Sequence, residues 1–224
     1  MKTSVTTSGM LILMMLITSA CSNSKKEEYF SGEVVYSYTY ESSILNTDSL
    51  AKERPAKGIF RYDLNNYQSQ FLGKDTFTYY YSGSLNKALS QAGSSRNYEC
   101  EDYGIFTDSV ISWKTYPADE QVLGQNCDIL ELQKKTSFVQ YYVSREEKTA
   151  PATYQKHKAY NWDVYGEKAK GGLILKMEHR FKVFTMKGIA TDLKKQDAKF
   201  KALEMDEKKM IELCNSQRQD DVKK

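Results

Sequence analysis

Two histidines, His157 and His179, are the first side chains in this sequence that could hold a metal or move a proton. His157 stands between Lys156 and Lys158, whereas His179 follows alternating apolar residues that end at Met177. Their spacing does not specify a metal site, although a two-histidine site is geometrically conceivable. The sequence also lacks an H-E-x-x-H pattern, a G-x-S-x-G elbow and a P-loop. We therefore expect both histidines to be hydrogen bonded or solvent facing, with no metal and no cofactor.

Three carboxylates surround Cys100, namely Glu99, Glu101 and Asp102. On a strand, Glu99 and Glu101 would share one face and Asp102 would point to the other. Paired carboxylates can hydrolyse a glycosidic bond. Nothing else nearby is typical of a sugar site, so a solvated acidic cluster is the favoured interpretation. The sequence predicts a protein that is not an enzyme.

The N-terminal stretch ends in a cysteine that could be acylated. Lys2 gives a positive start, residues 10–17 are uninterruptedly apolar, and small residues run from Thr18 to Ala20 before Cys21. This order is typical of a secretory signal, and the apolar run is shorter than the ~20 residues of a membrane-spanning helix. It resembles a bacterial lipoprotein signal, although that pattern usually has Leu where Thr18 stands. The resemblance implies cleavage before Cys21 and a lipid on its sulfur.

Three cysteines remain after lipidation, and none is spaced as C-x-x-C, so a zinc or redox motif is not indicated. An exported protein can form a disulfide. We favour a Cys100–Cys127 pair, because both residues lie in strand-like stretches. Cys214 would then be a free or helix-packed thiol. The alternative, that no disulfide forms, stays open.

Length and composition indicate one globular domain. The chain has 224 residues, of which 27% are charged and 40% are apolar, a balance typical of folded proteins. Its net charge of +3 gives no sign of nucleic-acid binding. We divide the chain into a signal peptide (1–20), a polar tether (21–29), an antiparallel β domain (30–204) and a C-terminal helix with a frayed tail (205–224).

Alternating tyrosines predict the fold class. The chain has 17 tyrosines and only 3 prolines, a composition that suits strands. In residues 30–40, Val34, Tyr36, Tyr38 and Tyr40 share one face, as in a half-buried strand. Similar short strands follow, whereas residues 84–97 are predicted to form a loop. We expect a mainly β (α+β) fold, a curved antiparallel sheet or half-barrel with a few short helices and a C-terminal helix.

Aromatic side chains on these strands could line a ligand pocket. Pockets are mostly apolar with a few polar groups, and a tyrosine hydroxyl supplies one. The alternative is that the same rings form an ordinary core under the sheet. The candidate ligand-lining residues are Tyr36, Tyr38, Phe60, Tyr62, Tyr79, Tyr81, Trp113 and Tyr142.

Residues 120–205 carry a family resemblance. The short motifs are Gly124-Gln125-Asn126-Cys127-Asp128-Ile129, Tyr141-Tyr142-Val143-Ser144, Pro151 with Tyr154 and His157, Gly171-Gly172-Leu173, and Asp197 with Phe200. Their order resembles Bacteroidota lipoproteins of the GLPGLI and related types, although the GLPGLI signature itself is absent. Those proteins resemble the half-barrels of LolA and LppX lipoprotein and lipid carriers. The resemblance implies fold more than function.

The resulting expectation is a protein anchored by lipid in the envelope of a Gram-negative bacterium, with the outer membrane as the favoured location. It would bind a hydrophobic ligand or a lipidated partner on the concave face of its sheet. The alternative is a non-catalytic structural or interaction subunit of an envelope complex. Ser49, in Asp48-Ser49-Leu50, resembles an O-glycosylation signal of exported Bacteroidota proteins, as does Asp108-Ser109-Val110.

Overall fold

The computed structural model describes residues 28–64, 66–93, 95, 97–196 and 207–222, and strands predominate in them. The strands are β1 (Gly32–Glu41), β2 (Lys57–Asp63), β3 (Asn66–Leu72), β4 (Phe77–Ser82), β5 (Lys87–Ala92), β6 (Glu99–Asp102), β7 (Val110–Val122), β8 (Gln125–Lys134), β9 (Phe138–Lys148), β10 (Gly172–Arg180) and β11 (Thr185–Lys195). The helices are α1 (Thr47–Glu53), α2 (Trp162–Lys168) and α3 (Glu207–Val222), with 3₁₀ turns at Pro151–Tyr154 and Ala159–Asn161. Within the described ranges, no helix combines the length and apolarity needed to cross a bilayer. The predicted mainly β fold is confirmed.

All eleven strands belong to one open antiparallel sheet, in the order β6-β5-β4-β3-β2-β1-β11-β10-β9-β8-β7. Each half is a meander in which neighbours in sequence are neighbours in space. The two meanders join where β1 pairs with β11, with Tyr38 opposite Gly188. The strands that come first and last along the chain, β1 and β11, are therefore neighbours at the centre of the sheet.

The sheet curves strongly. Eight neighbouring strands, from β4 through β1 and β11 to β8, all contribute side chains to one cavity of about 430 Å³. At a strand spacing of ~4.8 Å, eight strands laid flat would span roughly 34 Å. A cavity of that volume can be shared by so many strands only if the sheet bends around it.

Two glycines make room for a tyrosine ring at the centre of the sheet. A Cβ on Gly58 would lie 2.6 Å from the Tyr38 hydroxyl, and a Cβ on Gly188 would lie 2.7 Å from Cε1 of the same ring. The Tyr38 ring therefore lies flat against β2 and β11. Aromatic rings covering glycines in this way are one means by which a sheet is curved and its register is fixed.

A second central tyrosine fills a gap between strands. The ladder between β10 and β11 runs only from Lys176 to Arg180 on the β10 side, so the earlier part of β10 is not paired with β11. The Tyr36 hydroxyl on β1 donates to the Ile174 carbonyl oxygen at 2.5 Å. A buried carbonyl that would otherwise lack a partner from β11 is satisfied in this way.

Helix α3 covers the outer face of the sheet near one end. Met210 and Cys214 of α3 pack against Tyr80 and Leu89. Tyr80 points away from the cavity, because neighbouring Tyr79 lines it and side chains alternate along a strand. At the other end, the edge strand β7 contains Pro117 and two register shifts, features that discourage pairing with another chain.

Two expectations from the sequence are wrong near this helix. Cys100 forms its disulfide with Cys214, and Cys127 is a free, buried thiol. Cys100 and Cys214 come together because α3 docks beside β6, where the Cys100 amide also donates to Gln217 Oε1 at 2.6 Å. The helix runs from Glu207 to Val222.

The segment predicted as a loop, residues 84–97, contains strand β5 instead. Its sequence, Lys-Ala-Leu-Ser-Gln-Ala, has no strong strand formers. Ala88 and Leu89 are both fully buried, one in the main core and the other under α3. Burial on both faces therefore outweighs the weak local preference of this segment for a strand.

We predict that replacing both Cys100 and Cys214 by Ser lowers the free energy of unfolding by about 4–5 kcal/mol. The bridge joins residues 114 apart, and the chain-entropy model gives about 4.7 kcal/mol for a ~100-residue loop. Urea unfolding measures the change. A reductant should destabilise the parent protein to the same level and leave the double variant unchanged. A Cys100–Cys127 peptide found by non-reducing mass mapping would contradict the pairing.

Candidate functional site

The cavity lies on the inner face of the sheet and is mainly aromatic. It has a volume of about 430 Å³. The lining residues that the sequence prediction also named are Tyr36, Tyr38, Phe60, Tyr62 and Tyr79. These rings pack on one another, for example Tyr36 edge-on to Phe60 with centroids 5.2 Å apart. Burial raises the pKa of Tyr36 and Tyr62 well above its usual value, so their hydroxyls are neutral hydrogen-bonding groups.

Three other predicted lining residues lie elsewhere. Tyr81 is buried behind the wall, stacked on Tyr67 with ring centroids 5.0 Å apart. Tyr142 faces the opposite side of β9 from the cavity-lining Tyr141, and the Lys176 ammonium lies 4.5 Å from its ring centre. Trp113 lies on edge strand β7 and is half exposed. The prediction of these three as lining residues is therefore wrong.

The connection between β9 and β10 closes one end of the cavity. Within it, the amides of Lys158 and Ala159 both donate to the Tyr103 carbonyl oxygen, at 2.7 and 3.1 Å. Trp162 stacks on Tyr67, with centroids 5.3 Å apart, and both rings line the cavity. These contacts hold the connection between β9 and β10 against the sheet. The connection therefore forms a wall of the cavity, which we call the roof.

His157 lies in this roof and is fully buried. Its Nε2 is 2.8 Å from the Tyr67 hydroxyl, and its ring lies 4.4 Å from the centre of the Tyr81 ring. Burial lowers the pKa of His157 to about 3. The imidazole is therefore neutral at physiological pH and is hydrogen bonded through Nε2, whereas its buried Nδ1 has no hydrogen-bond partner among the described residues.

The other end of the cavity is polar, and Lys134 is its principal charged group. Lys134 ends β8, lines the cavity and is only 2% exposed. Its Nζ donates to the Tyr160 carbonyl oxygen at 3.5 Å. Burial lowers the pKa of Lys134 to about 8, and the nearby charge of Asp108 partly opposes this effect. The ammonium therefore remains mostly protonated at neutral pH.

A hydrogen-bonded series of polar side chains lies beside Lys134. Asp108 accepts from the Thr136 amide at 2.9 Å and from the Ser137 hydroxyl at 3.0 Å. Ser137 Oγ is also 3.1 Å from His179 Nε2. Because the Ser137 proton is directed to Asp108, His179 Nε2 must carry a proton and donate to Ser137. Burial, followed by the charge of Lys134, lowers the pKa of His179 to about 4, so its ring is neutral.

The backbone is unusual where the roof meets this polar end. Tyr160 and Asn161 both have positive φ, 58° and 63°. Two consecutive non-glycine residues in the left-handed region are energetically costly. Such conformations concentrate at functional sites. Here they place the Tyr160 side chain in the cavity wall and its carbonyl oxygen next to Lys134.

Other residues with candidate chemistry lie away from the cavity. Glu99 and Asp102 are exposed on β6. Ser49 is exposed in the first turn of α1, where its amide donates to Asn46 Oδ1. Among the described residues, no group of three or more His, Cys, Asp and Glu is placed to hold a metal. Cys21 lies outside the described residues.

Sequence reasoning missed the polar end of the cavity. Lys134 continues the alternation of Leu130 and Leu132, which are fully buried, so strand periodicity could have identified it as facing inward. His179 likewise follows Met177 at a two-residue spacing, and both line the cavity.

Comparison with known proteins adds little to this description. No protein-family model matches the chain, and no curated protein matches it. Two solved structures of PNGF-II are similar to it at 13% and 14% sequence identity, with TM-scores of 0.44 and 0.39. The matches cover 83% and 75% of this chain. The chain spans about 30% of the length of PNGF-II.

We predict that His157 does not titrate between pH 8 and pH 5. Its folded pKa of about 3 lies below the ordinary value near 6.5. As the pH falls, the unfolded chain therefore binds this proton at a higher pH than the folded protein does. The contribution of His157 to the free energy of unfolding is fully present above about pH 6.5. It decreases as the pH drops toward 3, by up to about 1.4 kcal/mol per pH unit. NMR of the imidazole resonances measures this, and a His179→Gln variant leaves His157 as the remaining histidine. A His157 midpoint near 6.5 in the folded protein would contradict its burial.

Proposed function

We propose that this protein is a lipid-anchored, non-catalytic protein of the bacterial cell envelope that binds a hydrophobic ligand, or the hydrocarbon part of a lipidated partner, in its cavity. The cavity on the inner face of the sheet is the observation that carries the proposal. Its volume of about 430 Å³ falls within the ~300–1,000 Å³ typical of small-molecule sites.

The composition of the cavity wall supports a hydrophobic ligand. The walls are formed by tyrosine, phenylalanine, tryptophan and methionine side chains, which favour apolar contact. Buried apolar surface in an ordinary core is closely packed, with few voids larger than a water molecule. A space of this size between packed aromatic rings is therefore better explained by an occupant than by core packing.

The envelope location rests on the N-terminal sequence. The charged start, the apolar run and Cys21 support export and acylation. Acyl chains on one cysteine would hold the domain at a membrane, since each buried CH₂ contributes ~0.8 kcal/mol and two or more chains give stable attachment. A domain attached in this way stays close to a source of hydrophobic ligands.

The second candidate function is a structural or interaction subunit. The exposed apolar side chains of Ile111 and Trp113 on edge strand β7, 67% and 50% exposed, favour it. Such side chains on a sheet edge can form part of a protein interface. The two functions differ in a simple respect, because only the first requires the cavity to bind a small hydrophobic molecule.

We predict that the neutral fluorescent probe N-phenyl-1-naphthylamine binds saturably to the mature chain carrying Cys21→Ala. Ser69→Phe should weaken binding by about tenfold or more, because Ser69 is buried and lines the cavity. An added ring there would occupy space that the probe needs. Fluorescence titration measures the affinity.

The matched control is Ser112→Phe, which adds the same ring to exposed β7, outside the cavity. It should bind the probe as the parent protein does. Absence of saturable binding, or equal affinity in the Ser69→Phe and parent proteins, would leave the interaction-subunit function as the better explanation.

We also predict that Cys21→Ala in the full-length chain moves the protein from the membrane to the soluble fraction. The change removes the sulfur to which acyl chains would attach. Fractionation followed by immunoblotting measures this, with Cys127→Ala as the control that keeps Cys21. Continued membrane association of the Cys21→Ala protein would refute the lipid anchor while leaving the cavity proposal intact.

A further inference from the structure

We propose that the ligand is a single-chain amphiphile with one negative charge, whose head group binds Lys134 while its hydrocarbon lies against the aromatic wall. This inference rests on the proposed function, since it names the class of molecule that the same cavity would hold. It follows from the placement of one buried cation at the polar end of an otherwise apolar space.

The Lys134 ammonium can donate more hydrogen bonds than the described part of the chain accepts from it. Within the described ranges, no carboxylate oxygen lies within 4.0 Å of its Nζ, and its hydrogen bond to the Tyr160 carbonyl oxygen is long, at 3.5 Å. A lysine ammonium has three hydrogen-bond donors. Burying such a charge is costly unless it is paired and hydrogen bonded. A ligand anion would supply the missing partner.

Asp108 does not supply that partner, although it lines the same cavity. Its two carboxylate oxygens accept from the Thr136 amide and from the Ser137 hydroxyl. These bonds hold the carboxylate toward the turn between β8 and β9. The charge of Asp108 would also disfavour a doubly charged head group, because one lysine cannot neutralise two negative charges. A single charge, such as that of a carboxylate, fits best.

The apolar part of the cavity would hold the hydrocarbon part of the ligand. Apart from Lys134 and the neighbouring Asp108, Thr136, Ser137 and His179, the lining is aromatic or aliphatic except for Ser69. The polar groups are thus concentrated around Lys134. This separation of one cation from an extended apolar wall matches an amphiphile better than a uniformly apolar or uniformly polar molecule.

The costly backbone at Tyr160 and Asn161 supports a binding role for this end. The Tyr160 carbonyl oxygen, whose position depends on the two left-handed residues, is the group that contacts Lys134. The Tyr160 side chain lines the same cavity. The protein therefore maintains an unfavourable conformation at the point where the proposed head group would lie.

The test is a competition experiment on the mature chain with Cys21→Ala, using N-phenyl-1-naphthylamine as the reporter. Dodecanoate and dodecan-1-ol are titrated below their aggregation limits. Both have the same hydrocarbon length, and only dodecanoate is charged. We expect dodecanoate to displace the probe at concentrations at least about tenfold lower than dodecan-1-ol, as a charge-assisted hydrogen bond would give.

Lys134→Met should reduce this preference, measured as the ratio of the two displacing concentrations, to about onefold. The matched control is Lys135→Met, which removes the same charge from the exposed neighbouring residue and should keep the preference. Lys134→Arg retains the positive charge and should preserve part of the preference for dodecanoate. Thermal unfolding of Lys134→Met should show no loss of stability, because an unpaired buried charge has been replaced by an apolar side chain.

The outcomes separate this inference from the proposed function. If the parent protein does not bind the probe, the cavity proposal fails and this inference fails with it. If the probe binds but dodecanoate and dodecan-1-ol compete equally, the cavity proposal stands and the anionic head group is refuted. A large loss of stability and of probe binding in Lys134→Met, without rescue by Lys134→Arg, would show that Lys134 is structural and would also refute the inference.

Discussion

The curvature of a single sheet around its own aromatic side chains is the constraint on which the rest of the structure depends. An eleven-stranded sheet with one tyrosine-rich face would expose that face to water if it stayed flat. Curling brings β4 and β8 to the same cavity. Tyrosine suits this arrangement, since its ring packs like a large apolar group while its hydroxyl can satisfy a stray carbonyl, as Tyr36 does for Ile174.

Strand periodicity predicted much of this face and failed where both faces of a strand are apolar. Along β1, tyrosines alternate with polar residues, so Tyr36 and Tyr38 could be assigned to the inner face from the sequence alone. Along β9, apolar side chains occupy both faces. The pattern therefore could not decide between Tyr141, which lines the cavity, and Tyr142, which lies on the other side. A two-residue period identifies the inner face of a strand only when one face is apolar and the other is polar.

Contacts between distant segments were beyond the reach of local patterns. The pairing of β1 with β11 joins the two meanders, and nothing in either strand specifies the other as its partner. The Cys100–Cys214 disulfide depends on where α3 docks. The burial of Leu89 beneath that helix likewise made a strand of a segment with weak strand preference. The sequence thus indicated the class of fold and most strands, while the docking of the helix required the whole structure.

The polar end of the cavity brings together two features that cost free energy. In the roof, the buried His157 is neutral and is hydrogen bonded through Nε2. At Lys134 a buried cation has no ion pair among the described residues, and at Tyr160 and Asn161 the backbone is held in a costly conformation. Folding alone would favour an apolar side chain in place of Lys134 and a relaxed turn in place of these residues. These two costs lie in direct contact with each other, and the proposed binding of an anionic ligand would account for both.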